Sequence, residues 1–349
     1  MAYLPSLPPL RTAISLAVCG WALPALASTA SDTTTTRQSP PPLEEVTIIG
    51  DRQASREIAG SGALIDSLQI RDELATDINQ LLKTVPGTYI REEDGYGLRP
   101  NIGIRGATAE RSAKITLMED GVLIAPAPYA APEAYYFPTL ARMQAVEVLK
   151  GASQLRYGPQ TTGGVVNLVS TPHPEDAGGR LQFVYGQDHQ TDILASYGAQ
   201  LGAFGFNLET AQRYNEGFKS IDRSDQDTGY RIEDYVAKLS WQGERHALKL
   251  KTQYSDETSD ETYLGLTDRD FVENPDRRYG MSAPDQMSNE HKALSVTWDW
   301  QLGAELAVAT TEKVGARREP ADSMRSSSLR NAVVGAVDAG AGVGVGAGV

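Results

Sequence analysis

Residues 156–170 read RYGPQTTGGVVNLVS. Gly163 and Gly164 stand back to back, Gly158 precedes Pro159, and Val165, Val166, Leu168 and Val169 form a strand-like run. Paired glycines ahead of an apolar run suggest a phosphate-binding loop, because glycine lets backbone amides approach an anion closely. That loop needs Gly-Lys-Ser/Thr opening a helix, whereas here Val165 opens a β-branched, extended segment. The glycines therefore serve turning and packing inside a sheet.

Downstream of Pro174 the pattern has period two. Phe204, Phe206 and Leu208 alternate with Gly205, Asn207 and Glu209; Tyr235, Ala237, Leu239 and Trp241 alternate with Asp234, Val236, Lys238 and Ser240. Leu248, Leu250 and Tyr254 alternate with Lys249, Lys251 and Gln253, and Leu294, Val296, Trp298 and Trp300 with Ser295, Thr297 and Asp299. With runs near 180–187, 191–200 and 304–311 this predicts seven strands. Residues 201–203, 242–244 and 302–303 are tight connections, while 214–229 and 256–289 are long, polar and charged. Sorting short turns to one rim and long loops to the other is the habit of an outer-membrane barrel. A soluble antiparallel sheet with one wet face is the alternative.

Upstream lies a compact α+β unit of about 120 residues, a size that one core supports. Leu74, Ile78, Leu81, Leu82 and Val85 share one helical face, with Thr76 or Asp72 as the cap and Val85-Pro86-Gly87 as the stop. Ile115, Leu117, Val122 and Ile124 flank Asp120-Gly121, a hairpin turn. Val146, Val148 and Leu149 make a further strand, and 165–170 closes the unit. Two long loops remain, Arg91 to Pro100 and Ala125 to Pro138.

The N-terminus reads as a secretory signal peptide. Arg11 precedes an apolar stretch from Ala13 to Leu23, and Ala25-Leu26-Ala27 forms a cleavage site. Cys19, the one cysteine, lies inside that signal, so the mature chain needs no disulfide framework. No run of 18 apolar residues follows, so a membrane could be crossed only by strands. Residues 28–43 are mostly Ser, Thr and Pro with almost nothing apolar, and cannot form a core. In that tail EEVTIIG (Glu44 to Gly50) is a β-prone island, fit to add to a partner's sheet by backbone hydrogen bonds. Net charge −13 and pI ≈ 4.9 argue against nucleic acid.

The order of signal, leader, island, α+β unit and amphipathic strands resembles a TonB-dependent outer-membrane receptor. EEVTIIG is similar to the TonB box, Glu45, Val46, Thr47, Ile48 and Ile49 being its core. LLKTVPG, NIGIRG, LMEDGVLI, VEVLKG, RYG and GGVVNLVS resemble successive signatures of that family's plug domain, across about residues 44 to 172. APYAAPEAYYFP and RYGPQTTGGVVN look most like the ferric-citrate receptor branch. The resemblance implies an α+β plug domain followed by an incomplete antiparallel transmembrane β-barrel, about seven strands of an expected twenty-two. The boundaries it implies are a signal peptide at 1–27, a leader at 28–57 with the TonB box at 44–50, the plug at 58–174 and the first part of the barrel at 175–311. Residues 312–349 end almost only in Ala, Gly and Val, a low-complexity tail that reads as a frameshifted or truncated product, or as a flexible tail.

The function implied is uptake of a ferric chelate, ferric citrate or another siderophore, across the outer membrane. Cobalamin, a nickel chelate or a glycan is the alternative cargo, and a non-transporting periplasmic binding module the alternative role. TonB and outer-membrane lipid are the implied partners, and iron enters only as chelated cargo, with no cofactor. No nucleophile elbow or zinc-ligand spacing is legible, so no enzyme is expected. Tyr96, Arg99, Tyr129, Tyr135 and Tyr136 on the plug loops are candidate ligand contacts, with ordinary packing as the alternative. Glu92, Glu93 and Asp94 in REEDGYGLRP would repel a polyanionic citrate chelate. Arg105 of NIGIRG and Arg156 of RYG are the candidate plug–barrel contacts, with carboxylate partners expected on wall strands beyond these seven.

Overall fold

The structure is a computed structural model. It describes residues 49, 58, 60–73, 77–124, 136–157, 162–262, 264–301 and 307–318. The predicted signal peptide, most of the leader and residues 319–349 of the predicted tail lie outside the described residues, whereas 312–318, assigned to that tail, are strand.

The first unit comprises β1 (Ser61–Ile65), α1 (Ser67–Asp72), α2 (Ile78–Leu82), β2 (Thr88–Arg91), β3 (Asn101–Ile104), β4 (Ile115–Glu119), β5 (Val122–Leu123), β6 (Met143–Lys150) and β7 (Gly164–Ser170). Five of these strands make one sheet in the order β1-β6-β7-β4-β5, with β4 and β7 parallel. β2 and β3 form a separate hairpin. The buried core joins Ile78, Leu81 and Leu82 of α2 to Ile102, Leu117, Val146, Val148, Val166 and Leu168. Asp120 and Gly121 take positive φ, 51° and 75°, the backbone that a tight two-residue hairpin demands.

Two readings change here. The helix expected from Leu74 to Val85 is the short α2, Ile78–Leu82, capped by Asp77 rather than by Asp72 or Thr76, and a second short helix that the spacing does not announce, α1, precedes it with Asp66 as its cap. Each cap aspartate accepts a backbone N–H, from Gln69 at 3.0 Å and Asn79 at 2.7 Å, which satisfies one of the donors left unpaired at a helix start. Helices this short hold only by packing on the sheet. β1, β2 and β3 were not legible, being too short for alternation to register.

The second unit is a seven-stranded antiparallel wall in the order β16-β15-β13-β12-β10-β9-β8. Its strands are β8 (Gly178–Tyr185), β9 (Thr191–Leu201), β10 (Phe204–Asn215), β12 (Tyr230–Gln242), β13 (His246–Ser259), β15 (Met287–Gln301) and β16 (Ala307–Arg318). Two-residue strands β11 (Ser220–Ile221) and β14 (Arg277–Arg278) pair in parallel and tie the two long connections together, and α3 (Asp268–Glu273) lies in the second of them. The seven strands occur where the alternation placed them, but most run longer. Polar residues towards the long-loop ends of β10, β12 and β13 continue the ladder without continuing the apolar signal.

The wall is inside out relative to a soluble sheet. Leu181, Phe183 and Tyr185 are 79%, 64% and 65% exposed, and Leu208, Leu239, Leu248, Leu294 and Trp298 are exposed on the same outer face. Asn207, Glu209, Asp234, Lys238, Gln253 and Asn289 are buried on the inner face. Period-two pleating makes this possible, since successive side chains point to opposite faces. The plug lies against the inner face.

Candidate functional site

The opening glycines act by close approach. A Cβ on Gly163 would sit 2.7 Å from Ile115 Cδ1 and 2.9 Å from the Lys114 carbonyl oxygen. On Gly164 it would meet Ile104 Cδ1 at 2.7 Å and the Leu149 oxygen at 2.8 Å. The main chain enters β7 through a slot that admits no side chain.

Where β7 and the β4–β5 turn face the wall, a polar seam is buried. Arg142 is fully enclosed, with Nη1 3.5 Å from Glu119 and 3.8 Å from Glu209, and Nε 3.3 Å from Asp234. Lys251 of β13 reaches Glu119 at 2.7 Å and also Asp120, and Gln253 Nε2 donates to Glu119 at 2.7 Å. Lys238 of β12 donates to Ser170 Oγ at 2.7 Å and the Thr171 carbonyl oxygen at 2.6 Å. Burial alone would raise the Glu119 carboxyl, but Lys251 and Arg142 outweigh it and bring its pKa down to about 2. Asp120 is lowered for the same reason, with Lys251 and Lys238 as its cations. Charges removed from water hold only when paired in this way.

A second contact closes the long-loop rim. Arg99 pairs with Glu257 at the end of β13 and with Glu261 at 2.7 Å. Asp94 turns inward and accepts the backbone N–H groups of Tyr96 at 2.6 Å, Gly97 at 2.7 Å and Arg99 at 3.0 Å. Tyr96 lies edge-on to Phe218 and Tyr230, with ring centroids 5.4 and 5.2 Å away. Burial pushes the Tyr96 phenol up to about 12. Burial likewise raises the Glu261 carboxyl to about 7; the like charges of Asp94 and Glu257 add to the rise, and Arg99 and Lys219 do not offset it.

At the other end, Ile49 is buried beside Met118, Leu149 and Val165, and its N–H donates to Glu147 Oε1 at 2.8 Å. Glu45, Val46, Thr47 and Ile48 lie outside the described residues, as do Tyr129 and Tyr135. Tyr136 is buried, accepts from Arg142 Nη2 at 2.9 Å and stacks on His291 with ring centroids 4.0 Å apart. Arg99 and Tyr136 thus both bind the wall's own residues. Arg105 is exposed and meets no carboxylate among the described residues, and the side chain of Arg156 is not described. The buried plug-to-wall arginines are Arg142 and Arg99, which sequence reasoning did not select as a pair. Their partners lie 92 and 158 residues away, and spacing along the chain carries no trace of them. Of the acids in the first plug loop, Asp94 is spent on backbone and Glu92 on Lys83, leaving Glu93 exposed.

Residues 54–165 match the family described as the TonB-dependent Receptor Plug Domain. Over 200 residues the chain is 25% identical to the vitamin B12 transporter BtuB of Photobacterium profundum, covering 56% of this chain and 31% of that protein. A Vibrio vulnificus BtuB is 27% identical over 177 residues, 51% of this chain and 28% of the relative. The chain therefore spans about a third of the length of these curated relatives. The fold is similar to the unliganded ferric citrate transporter FecA, with TM-score 0.66 and 21% identity over 82% of this chain and 42% of FecA. It is also similar to the ferric yersiniabactin uptake receptor FyuA of Yersinia pestis, with TM-score 0.59 and 18% identity over 77% and 43% of the two chains. This chain carries a TonB-dependent receptor plug domain, seated against seven antiparallel strands with the fold of part of such a receptor's barrel.

Proposed function

We propose that this chain belongs to an outer-membrane receptor that imports a ferric chelate, drawing energy from TonB through residues 44–50. The inside-out wall carries the reading: apolar side chains on the outer face need lipid, and the polar inner face needs a plug or water. The iron assignment rests on the FecA-like fold and on the plug loop, where the inward turn of Asp94 and the pairing of Glu92 leave less repulsion for an anionic chelate. Import of a corrinoid is the second reading, supported by the BtuB relatives. Neither role needs a catalytic residue or a resident cofactor. Uptake of labelled ferric citrate and labelled cyanocobalamin by cells with and without the intact-length receptor decides between them. Iron uptake that is lost with the gene supports the first, and loss of corrinoid uptake alone replaces it with the second. Recovery of the receptor in the soluble fraction would sink both.

A further inference from the structure

Four largely buried cations at or near the seam sit beside acids. Arg99, Arg142, Arg213 and Lys251 each have at least one carboxylate within ion-pair distance, Arg213 through Asp192 at 3.6 Å. Two other arginines break that rule in one place. Arg71 on α1 and Arg180 on β8 both line a cavity of about 210 Å³ between the plug and the inner face of β8–β10, and neither has a carboxylate partner among the described residues. Each spends one donor on a neutral acceptor, Arg71 Nε on the Ser67 carbonyl oxygen at 3.0 Å and Arg180 Nη2 on Gln182. A guanidinium carries five donors, and among the described residues most of each fork meets no protein acceptor. Glu209, the acid whose charge bears on Arg180, is already shared with Arg142 at 3.8 Å. Asp192 also lines the cavity, its carboxylate beside Arg213 at 3.6 Å, so three guanidiniums face one carboxylate there; Thr139 and Gln144 add polar groups, and Ile70 and Met143 give an apolar side.

Two guanidiniums lining one crevice, one on an exposed helix and one part-buried on β8, are suited to hold a doubly charged oxyanion that accepts from both. We propose that this crevice binds a small multiply charged oxyanion, a carboxylate or a phosphate, between Arg71 and Arg180. Its volume is below that of pockets for drug-sized ligands, so a free small anion fits and a bulky chelate does not. The site lies inside the wall, away from the Tyr96–Arg99 rim, and does not depend on what the receptor imports.

The test is equilibrium binding of citrate and of inorganic phosphate to the full chain in neutral detergent micelles, by titration calorimetry, with retained β-structure checked by circular dichroism. At least one of the two anions should bind with one-to-one stoichiometry and weaken as salt is added. Which one binds tells carboxylate from phosphate. Arg71→Gln and Arg180→Gln should each reduce affinity about tenfold. Arg71 is exposed on a helix surface, so its variant tests the site even if the β8 variant folds poorly. Lys83→Gln removes the same charge from the plug outside the crevice and should leave affinity unchanged. Absence of binding by the wild-type chain overturns the proposal, as does Arg71→Gln binding like wild type, or Lys83→Gln losing as much. Uptake of ferric citrate could survive all three results, so failure here and failure of the import reading are distinguishable.

Discussion

Arg142 holds three carboxylates from two units of the molecule, and Glu119, Glu209 and Asp234 each keep one oxygen with no hydrogen bond. Arg142→Met should therefore cost about 3–5 kcal/mol, the range for breaking a buried ion pair by removing one partner. Arg105→Gln, at an exposed position, should cost less than about 0.5 kcal/mol. Chemical unfolding in detergent micelles reads both, and equal effects would refute the seam's role. Glu119 adds a pH dependence. Its folded value of about 2 lies below its ordinary 4.5, so its stabilisation is fully present above pH 4.5 and is lost as pH falls towards 2. Glu119→Gln should be less stable at neutral pH yet lose less on acidification across that window. A wild-type and a variant curve that stay parallel through it would contradict the assignment. Packing gives a third case: Gly163→Ala forces a Cβ against Ile115 and the Lys114 oxygen, an overpacking cost of about 1–3 kcal/mol, seen as a lowered unfolding midpoint.

Strand alternation was the most legible feature of the chain, because one face of every strand has to meet a different medium from the other. Leu208 points out and Glu209 points in on β10, and the sequence alone separates them. Leu208→Arg should consequently cost about 2–4 kcal/mol in lipid vesicles if its depth is near the bilayer midplane. In a soluble sheet the same exposed position would tolerate the change, and equal stability in both variants would refute the lipid-facing assignment. The start of α2 was not legible, since Leu74 keeps helical spacing with Ile78 while Asp77 caps the helix in between. Rim pairing was hidden for a different reason. Asp94 looks like one of three repelling acids in the sequence, and only the folded loop shows its carboxylate turned onto three N–H groups. The rim latch should also respond to pH. Glu261 has a folded value of about 7, raised above 4.5 by burial first, so its contribution is fully present below pH 4.5 and is lost as pH rises through 7. Glu261→Gln should flatten the change in exchange protection of the 92–100 loop between pH 5 and 8, measured by hydrogen–deuterium exchange corrected for intrinsic rates. An unchanged profile would detach Glu261 from the latch.

Among the described residues the seven-stranded wall is open, with β8 and β16 each paired on one side only. A sheet edge presents a row of N–H and C=O groups, and in hydrocarbon every unpaired one costs several kcal/mol. The outer face of this wall asks for lipid while its two edges cannot bear it. Neither the plug nor the tied long loops resolve that conflict, because β8 and β16 are the terminal strands of the wall sheet. Further strands must therefore lie between β16 and β8 wherever this wall stands in a membrane, whichever stretch of polypeptide supplies them. In lipid vesicles the 349-residue chain by itself should show slow amide exchange in β12 and β13, which have neighbours on both sides, and fast exchange along the outer edges of β8 and β16. Supplying the remaining strands of the receptor, on the same polypeptide or as a second fragment, should slow those edges to the rate of β12. Light scattering must accompany the measurement, since two copies joined edge to edge would protect the same amides. If a monomeric 349-residue chain in lipid protects β8 and β16 as well as it protects β12, the wall is closed by some other means and the open-barrel reading fails.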